Sequence, residues 1–233
     1  MLHVTNGHSV SLAETGLIGE VLVWRDSING KRGAPPPLEA LDRHDDIVLW
    51  FEHDLYDQAQ LIELLAWLRG RSGIQLIQSS TYLGPMTADE LLALWPERRR
   101  VSGAQFTLGA AAWAAFVAQD YAAVEALVAG DTSALPFLGG ALRRWLEERP
   151  GRDGLGRTQR QILEIAAEGG QTFGALFGAS QQREERIFLG DTQFEEWIAT
   201  LTDAPVPLLR VEDGVYVLTE AGRDALAGRF AEE

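Results

Sequence analysis

The run IVLWF, residues 47–51, is apolar at five consecutive positions and leads directly into the polar stretch EHDLYDQ. A continuous apolar run of this length is typical of a strand that is buried on both faces, as strands of parallel sheets are. A helical pattern follows at residues 55–69, and a further apolar strand follows at residues 74–77. This order of strand, helix and strand predicts parallel pairing through a crossover helix.

Two more strands are predicted upstream, at residues 3–5 and 20–24. The first ends at Asn6-Gly7, and the second is followed by the Gly- and Pro-rich segment SINGKRGAPPP. Gly and Pro at these positions favour turns and loops. The fold class expected for the N-terminal part is therefore α/β, with a small, mostly parallel sheet of about four strands and helices between them.

The pattern after Pro85 is helical. Thr87 and Glu90 have the spacing of a capping box, and helices are predicted at residues 104–118, 121–129 and 135–148. The segment RPGRDGLG, residues 149–156, is the strongest break in the chain. We therefore expect an α/β domain with the ligand site at 1–85, a helical connector at 86–150 and a third domain at 151–233.

The third domain is predicted to be winged-helix-like. Three helices, the first capped by Thr158, precede two short strands around Glu212-Asp213-Gly214, and a last helix begins at Thr219. The third of these helices, DTQFEEWIATLTD, contains four acidic residues and no Lys or Arg. Because phosphate contacts supply most non-specific affinity for nucleic acids, this charge favours a protein partner over DNA.

The formal net charge of −14 extends that conclusion to the whole chain, since no third of it is basic. The tightest basic cluster, Arg98-Arg99-Arg100, is expected to be a solvated helix end. The chain contains no cysteine, which excludes thiol nucleophiles and cysteine zinc sites. The N-terminus does not resemble a signal peptide and no segment is apolar enough to span a membrane, so the expected location is the cytoplasm.

Polar side chains follow each of the four predicted strands. Because the carboxyl ends of parallel strands meet at one edge of a sheet, and ligands of α/β sheets bind there, these side chains are expected to lie together. His3 lies at the opposite end of its strand and is expected to be a sheet-edge histidine. The strand-end residues are Asn6, Gly7, His8 and Ser9, then Arg25 and Asp26, then Glu52, His53, Asp54, Asp57 and Gln58, and finally Gln78, Ser79 and Ser80.

Several of these residues also have a purely structural interpretation. Asn6-Gly7 can form a turn, and Asp54 with Asp57 can cap the following helix. Gln58 is harder to explain in this way, because it shares the apolar side of its helix and a buried amide needs hydrogen-bond partners.

His53, Asp54 and Asp57 are the candidates for catalysis. His53 or Glu52 is suited to general-base chemistry near neutral pH, and the histidine needs the smaller shift of its pKa. Asp54 and Asp57 are suited to holding a divalent cation such as Mg²⁺ or Mn²⁺ together with His8 or Asp26. The backbone N–H groups of Asn6 and Gly7 are candidates for binding an anion.

The stretches HVTNGHS, VLVWRD and LWFEHDLYDQAQL resemble an uncharacterised bacterial family, a domain of unknown function with an HVTNGDS-type N-terminus and a W-x-x-HD-x-x-DQ motif. The resemblance extends over most of the chain and implies no established activity. The family has an Asp where this sequence has His8, so any metal or ribose contact of that Asp would be altered here. The positions that match the family are Thr5, Asn6, Gly7, Ser9, Trp24, Arg25, Asp26, His53, Asp54, Asp57 and Gln58.

Two hypotheses for the function follow. In the first, the α/β domain binds a small anionic, nucleotide-like ligand at its strand ends, where phosphoryl transfer or hydrolysis would take place. In the second, the chain is a non-enzymatic regulator or adaptor whose acidic winged helix contacts a protein. The sequence leaves open whether the chain is an enzyme.

Overall fold

The computed structural model describes residues 1–7, 9–24 and 38–229. Its internal contacts divide the chain into two compact units, Met1–Arg143 and Arg144–Glu233. Three of the sequence-predicted site residues, His8, Arg25 and Asp26, lie outside the described residues. The three-part division at residues 85 and 150 stays a prediction.

The first unit contains a five-stranded sheet in the order β2-β1-β3-β4-β5. The first four strands are parallel to one another, and β5 runs antiparallel to β4. The strands are β1 (Leu2–Asn6), β2 (Glu20–Trp24), β3 (Ile47–Phe51), β4 (Ile74–Gln78) and β5 (Arg99–Arg100).

The predicted α/β class and the four parallel strands are confirmed, and the fifth strand is a correction. Arg99 and Arg100 were expected at a solvated helix end, but they pair with Leu76 and Gln75 at the edge of the sheet. The edge of β4 carries unpaired backbone groups that a short exposed strand can satisfy. Two residues with charged side chains give no strand pattern in a sequence.

Helices cover both faces of the sheet. The central one is α2, which packs against α4, and their close approach depends on Gly109, where an added Cβ would lie 2.7 Å from the Cβ of Leu65. The helices of the first unit are α1 (Leu38–Asp42), α2 (Leu55–Trp67), α3 (Ala88–Leu94), α4 (Gly103–Val117) and α5 (Tyr121–Ala129), with 3-10 helices at Leu12–Thr15 and Trp95–Glu97. The helix α6 (Leu138–Leu146) contains the boundary between the units.

Side chains of the buried strands alternate between the two faces of the sheet. Val48 and Trp50 of β3 and Ile77 of β4 pack with Leu83 and Leu91 on the face that α3 covers. Ile47, Leu49 and Phe51 consequently lie on the opposite face, which α2 covers. All five residues of β3 are fully buried, as the continuous apolar run predicts.

His3 is not the sheet-edge histidine that its position suggested. Its strand, β1, lies between β2 and β3, and the side chain is buried. Its Nδ1 accepts a hydrogen bond of 3.2 Å from the Nε1 of Trp50. Burial lowers the pKa of His3, so the neutral ring is favoured as part of the core.

The second unit is helical with one two-stranded ribbon. Phe194, Ile198 and Leu201 of α9 pack with Ile162 of α7 and Leu176 of α8 in a common core. Its elements are α7 (Arg157–Ala167), α8 (Phe173–Gln182), α9 (Asp191–Thr202), β6 (Leu209–Glu212), β7 (Val215–Leu218) and α10 (Glu220–Leu226). The predicted order of elements is confirmed, and the winged-helix classification stays a prediction.

The sequence predicts Thr158 as the N-cap of α7, and this prediction is wrong. Gly156 occupies the cap position, and Thr158 lies inside the first turn, where it is buried. Its hydroxyl donates to the carboxylate of Glu148 and its backbone N–H donates to the same side chain at 3.1 Å. Thr158 therefore joins α7 to the segment that precedes it.

None of the helices within the described ranges is both long enough and apolar enough to cross a membrane.

Candidate functional site

The strand order fixes where a ligand site is expected. From β1 the chain moves outward to β2 on one side, and then returns to β3 on the other side of β1. Ligands of open α/β sheets bind outside the carboxyl ends of the strands at such a reversal of order. In this protein the reversal lies between the end of β1, at Asn6, and the end of β3, at Phe51.

The first turn of α2 lies at this position. Asp54 is the N-cap of the helix, and its side chain accepts a 3.0 Å hydrogen bond from the backbone N–H of Asp57. Such a cap satisfies a backbone donor that would otherwise lack a partner. The predicted cap is therefore confirmed. It involves only the backbone of Asp57, and the side chain of Asp57 makes other contacts.

Three buried carboxylates meet here. One carboxylate oxygen from each of Glu52, Asp54 and Asp57 lies within 4.8 Å of the others. The exposed fractions of these three residues are between 2% and 8%. Like charges at this spacing, removed from water, repel one another strongly unless protons or a cation neutralise them.

Each carboxylate also accepts hydrogen bonds that fix its position. The Oε1 of Glu52 accepts from the backbone N–H of Leu83 at 2.6 Å. The Oδ1 of Asp57 accepts from the backbone N–H of Glu52 at 2.8 Å, and its Oδ2 accepts from the Nδ2 of Asn6. The carboxylates are therefore held in place by the loops that follow β1, β3 and β4.

The pKa values reflect the crowding. Burial, together with the charge of Asp57, raises the pKa of Glu52 to about 7. Burial raises the pKa of Asp57 to about 6, although its hydrogen bonds from Glu52 and Asn6 oppose the shift. Burial and the charge of Asp57 raise the pKa of Asp54 well above its usual value. The protein therefore retains protons in this cluster near neutral pH.

Gln58 is fully buried beside the cluster. Its Nε2 donates a 2.5 Å hydrogen bond to the backbone carbonyl of Glu52, while its Oε1 is buried and has no hydrogen-bond partner. Buried side-chain oxygens without a donor are rare in native proteins and call for an explanation. The Nε2 of Gln58 thus has a hydrogen-bond partner and the Oε1 has none.

A chain of amides extends from Asp57 toward β2. Asn6 donates to Asp57, and the Oδ1 of Asn6 accepts from the Nε2 of Gln60 at 2.9 Å. The Oε1 of Gln60 is also buried without a donor. Asp57 and Gln60 are three positions apart, so the two lie on the same side of α2.

Trp24 lies farther along the same side of α2. Its register partner in the sheet is Asn6, and its Nε1 donates a 3.0 Å hydrogen bond to the Oε2 of Glu63. The ring is fully buried. Trp24 therefore anchors α2 to the sheet and does not contribute its polar atom to the carboxylate cluster.

His53 follows the strand and packs against two aromatic rings. Its ring centroid lies 4.8 Å from that of Tyr82 and 6.0 Å from that of Phe137. Within the described residues, the group of ligating oxygens consists of Glu52, Asp54 and Asp57 and does not include a His53 nitrogen.

The remaining predicted residues lie around the end of β1. Gly7 has a positive φ of 67° and forms the turn. Thr5 points to the opposite face of the sheet from Asn6, and its hydroxyl donates to the carbonyl of Gly7 at 3.5 Å. Ser9 is exposed, and its Oγ lies close to Gly84, where an added Cβ would be 2.8 Å away.

The anion site predicted at the backbone N–H groups of Asn6 and Gly7 stays a prediction. The only helical element in residues 9–16 is the four-residue 3-10 helix Leu12–Thr15, whose cap residue, Ser11, makes no side-chain hydrogen bond. So short an element has little dipole to offer an anion. The site is therefore rich in acceptors, and its natural complement is a cation.

The spacing of the cluster can be compared with metal coordination. Two oxygens on opposite sides of Mg²⁺ lie about 4.1 Å apart, and across Ca²⁺ about 4.6 to 5.2 Å apart. The carboxylate oxygens all lie within 4.8 Å of one another, so the upper limit of their separation is close to the largest distance that two ligands of one such cation can have. Oxygen-only ligands of this kind suit Mg²⁺, Ca²⁺ or Mn²⁺.

The comparison with known proteins adds no relative. No protein-family model matches the chain, and a search of curated proteins finds no significant similarity. The resemblance to the HVTNGDS-type family therefore stays an expectation.

Proposed function

We propose that the first unit binds a divalent metal cation at the carboxyl ends of its strands and, through that cation, a small anionic ligand. The cation is held by Glu52, Asp54 and Asp57. A phosphate-bearing, nucleotide-like compound is the ligand class that such a centre serves. The chemistry that it supports is phosphoryl transfer or hydrolysis.

The observation that carries this proposal is the buried carboxylate triad, whose oxygens lie within 4.8 Å of one another at the reversal of strand order. A second, independent feature supports a cation: the buried Oε1 of Gln58, beside the triad, has no donor. A divalent cation neutralises the charges of the carboxylate triad and takes the amide oxygen of Gln58 as a ligand.

The cation is also what makes an anionic ligand compatible with this site. The N-terminal N–H groups of α2, which would otherwise attract an anion, are directed at the Asp54 carboxylate, which accepts from Asp57. An anion approaching without a cation would meet three carboxylates. A metal bridge between the triad and phosphate oxygens removes that repulsion, as in other sites where Mg²⁺ joins one or two carboxylates to a phosphate.

A thermal-shift experiment on the full chain tests the proposal. Nucleotides and inorganic phosphate are screened with Mg²⁺, with Mn²⁺ and with EDTA, because a ligand that prefers the native state raises the melting temperature. We expect a rise with either cation and a further rise when a phosphate compound is added. Asp57→Asn, which keeps the size of the side chain, is expected to remove both. A phosphate-dependent rise that is equal in EDTA would contradict the proposal.

The second unit has a different role in the alternative hypothesis. Asp191, Glu195 and Asp203 of the α9 segment and Glu212 and Asp213 of the ribbon turn are exposed and acidic. If this unit is a winged helix, both of its usual nucleic-acid contact surfaces are negative, which favours a basic protein partner. We expect no mobility shift of duplex DNA at low salt. A shift that weakens as salt increases would instead support DNA binding.

A further inference from the structure

We propose that Gln58 is a direct ligand of the cation, so that the centre consists of three carboxylates and one neutral amide oxygen. This inference rests on the proposed function and goes beyond it, because it assigns a specific coordinating atom, Oε1. It also assigns the class of metal: a hard divalent cation that takes oxygen ligands only. The assignment follows from orientation, position and lack of any competing partner.

The orientation of the amide is determined by its neighbour. The backbone carbonyl of Glu52 is an acceptor, so the atom of Gln58 that faces it at 2.5 Å must be the Nε2 donor. Exchanging the oxygen and nitrogen would place two acceptors against each other. The Oε1 of Gln58 therefore points away from the Glu52 carbonyl, and it is fully buried without a donor.

Gln58 is linked to all three carboxylate residues by its position in the helix and by hydrogen bonds. Asp54, Asp57 and Gln58 occupy positions i, i+3 and i+4 at the start of α2, which share one side of a helix. The amide is also attached to the backbone of Glu52, whose N–H is bound by Asp57. All three members of the triad are thus direct neighbours of Gln58 along the helix or through hydrogen bonds.

Other buried glutamines show why Gln58 is distinctive. The Oε1 of Gln60 lacks a donor as well, but its amide is attached to the side chain of Asn6, whereas the amide of Gln58 is attached directly to Glu52, a member of the triad. Gln161, in the second unit, has a buried Oε1 without a partner and belongs to α7. The ligating triad found within the described ranges is the one beside Gln58.

A neutral fourth oxygen influences which metal is bound. Softer metals select sulfur or imidazole, whereas carboxylate and amide oxygens suit Mg²⁺, Ca²⁺ and Mn²⁺. The amide adds a ligand without a fourth negative charge, which limits the repulsion when the cation is absent. We therefore expect Mn²⁺ to report faithfully on the site and Mg²⁺ or Ca²⁺ to compete for it.

Mn²⁺ binding by the full-length protein tests the role of Gln58. Affinity is measured from the electron paramagnetic resonance signal of free Mn²⁺, and the number of metal-bound waters from the relaxation rate of water protons. In Gln58→Leu we expect about tenfold weaker binding, the lower limit seen when metal-site partners are removed. We also expect a higher water-proton relaxivity per bound Mn²⁺, because water replaces the lost amide oxygen. A purely structural role would not change that relaxivity.

Two further variants make the test specific. Gln161→Leu removes a buried amide of the same kind in the second unit and is expected to leave affinity and relaxivity unchanged. Gln58→Asn retracts the oxygen by one methylene and should also lower the affinity for Mn²⁺ and raise the relaxivity. This variant keeps the test available if Gln58→Leu does not fold. Wild-type affinity and relaxivity in the Gln58 variants would overturn the assignment while leaving the proposed function intact. Failure of the wild-type protein to bind Mn²⁺ would overturn both.

Discussion

The side-chain amide of Asn6 donates a hydrogen bond from its Nδ2 to the Oδ2 of Asp57. This bond joins the last residue of β1 to the first turn of α2, across the position where the order of the strands reverses. It is part of a chain in which Gln60 donates to Asn6 at 2.9 Å. The arrangement of the carboxylate site therefore depends on a residue 51 positions away in the sequence.

Replacing Asn6 is expected to destabilise the protein. Asn6→Ala leaves the buried Oδ2 of Asp57 and the Nε2 of Gln60 without their partner, which costs about 1 to 3 kcal/mol of unfolding free energy for a buried polar group. The pKa of Asp57 should rise further, since the bond from Asn6 lowers it. Urea denaturation at pH 7 measures the first effect. Gln60→Leu, which preserves the bond between Asn6 and Asp57, should cost less; an equal cost would contradict this account.

Stability in EDTA is expected to fall as pH rises from about 5 to 8. The pKa of Glu52 is raised by burial to about 7 and that of Asp57 to about 6. A carboxyl group with a raised folded-state pKa contributes its full stability below its unfolded pKa, near 4, and loses it as pH rises through the folded value. For Glu52 alone the loss is on the order of 3 kcal/mol.

Urea denaturation across this pH range checks the expected slope. Glu52→Gln keeps an oxygen that can accept from Leu83 but cannot ionise, so its stability should depend less on pH and exceed that of the wild type at pH 8. Saturating Mg²⁺ should flatten the wild-type profile and have little effect on the variant. A wild-type profile that rises between pH 5 and 8 in EDTA would contradict the raised pKa values.

Trp24 is expected to matter for stability and not for the metal. Trp24→Phe removes the donor to the buried Glu63 and should cost about 1 to 3 kcal/mol of unfolding free energy. Affinity for Mn²⁺ should change by less than about twofold, which corresponds to a few tenths of a kcal/mol of binding free energy. The matched control is Trp197→Phe, because the Nε1 of Trp197 has no hydrogen-bond partner. A loss of metal affinity in Trp24→Phe would show that the ring contributes to the site.

In the second unit, Arg144 is expected to be essential for stability. Its guanidinium contacts Glu184 at 2.7 Å and Glu148 at 2.5 Å, and all three side chains are largely buried. Arg144→Met removes the cation that Glu148 and Glu184 share and leaves Glu184 with Arg157, at 3.5 Å, as its charged partner, which costs about 3 to 5 kcal/mol. Calorimetry of the full chain measures the loss. Removing the exposed pair of Arg210 and Glu212 by Arg210→Ala should cost less than about 1 kcal/mol. Equal losses in both variants would contradict this difference.

Much of the fold could be predicted because local patterns determine it. The apolar run Ile47–Phe51 predicts a doubly buried strand, and Asp54 followed by an acidic residue predicts the start of α2. The strand β5 could not be predicted, because its two residues have charged side chains and pair only through their backbone. Thr158 was mistaken for a cap because its partner, Glu148, lies outside its own helix.

The site was only partly predictable for a related reason. Asp54, Asp57 and Gln58 stand out in the sequence because they are polar residues directly after an apolar strand. Gln60 and Glu63 do not stand out, since polar residues in the middle of a helix are ordinarily exposed to solvent. Both are buried here because Gln60 bonds to Asn6 of β1 and Glu63 to Trp24 of β2, and those long-range contacts are not visible in the sequence.

The central claim is that Glu52, Asp54 and Asp57 bind a divalent cation, and the stoichiometry of Mn²⁺ binding tests it most directly. Purified full-length protein is titrated with Mn²⁺ at pH 8, above the pKa values of Glu52 and Asp57, and free Mn²⁺ is followed by electron paramagnetic resonance. We expect saturation at one Mn²⁺ per chain, displacement by excess Mg²⁺, and loss of binding in folded Asp57→Asn. A free Mn²⁺ signal identical to that in buffer, or identical binding in wild type and Asp57→Asn, would contradict the claim.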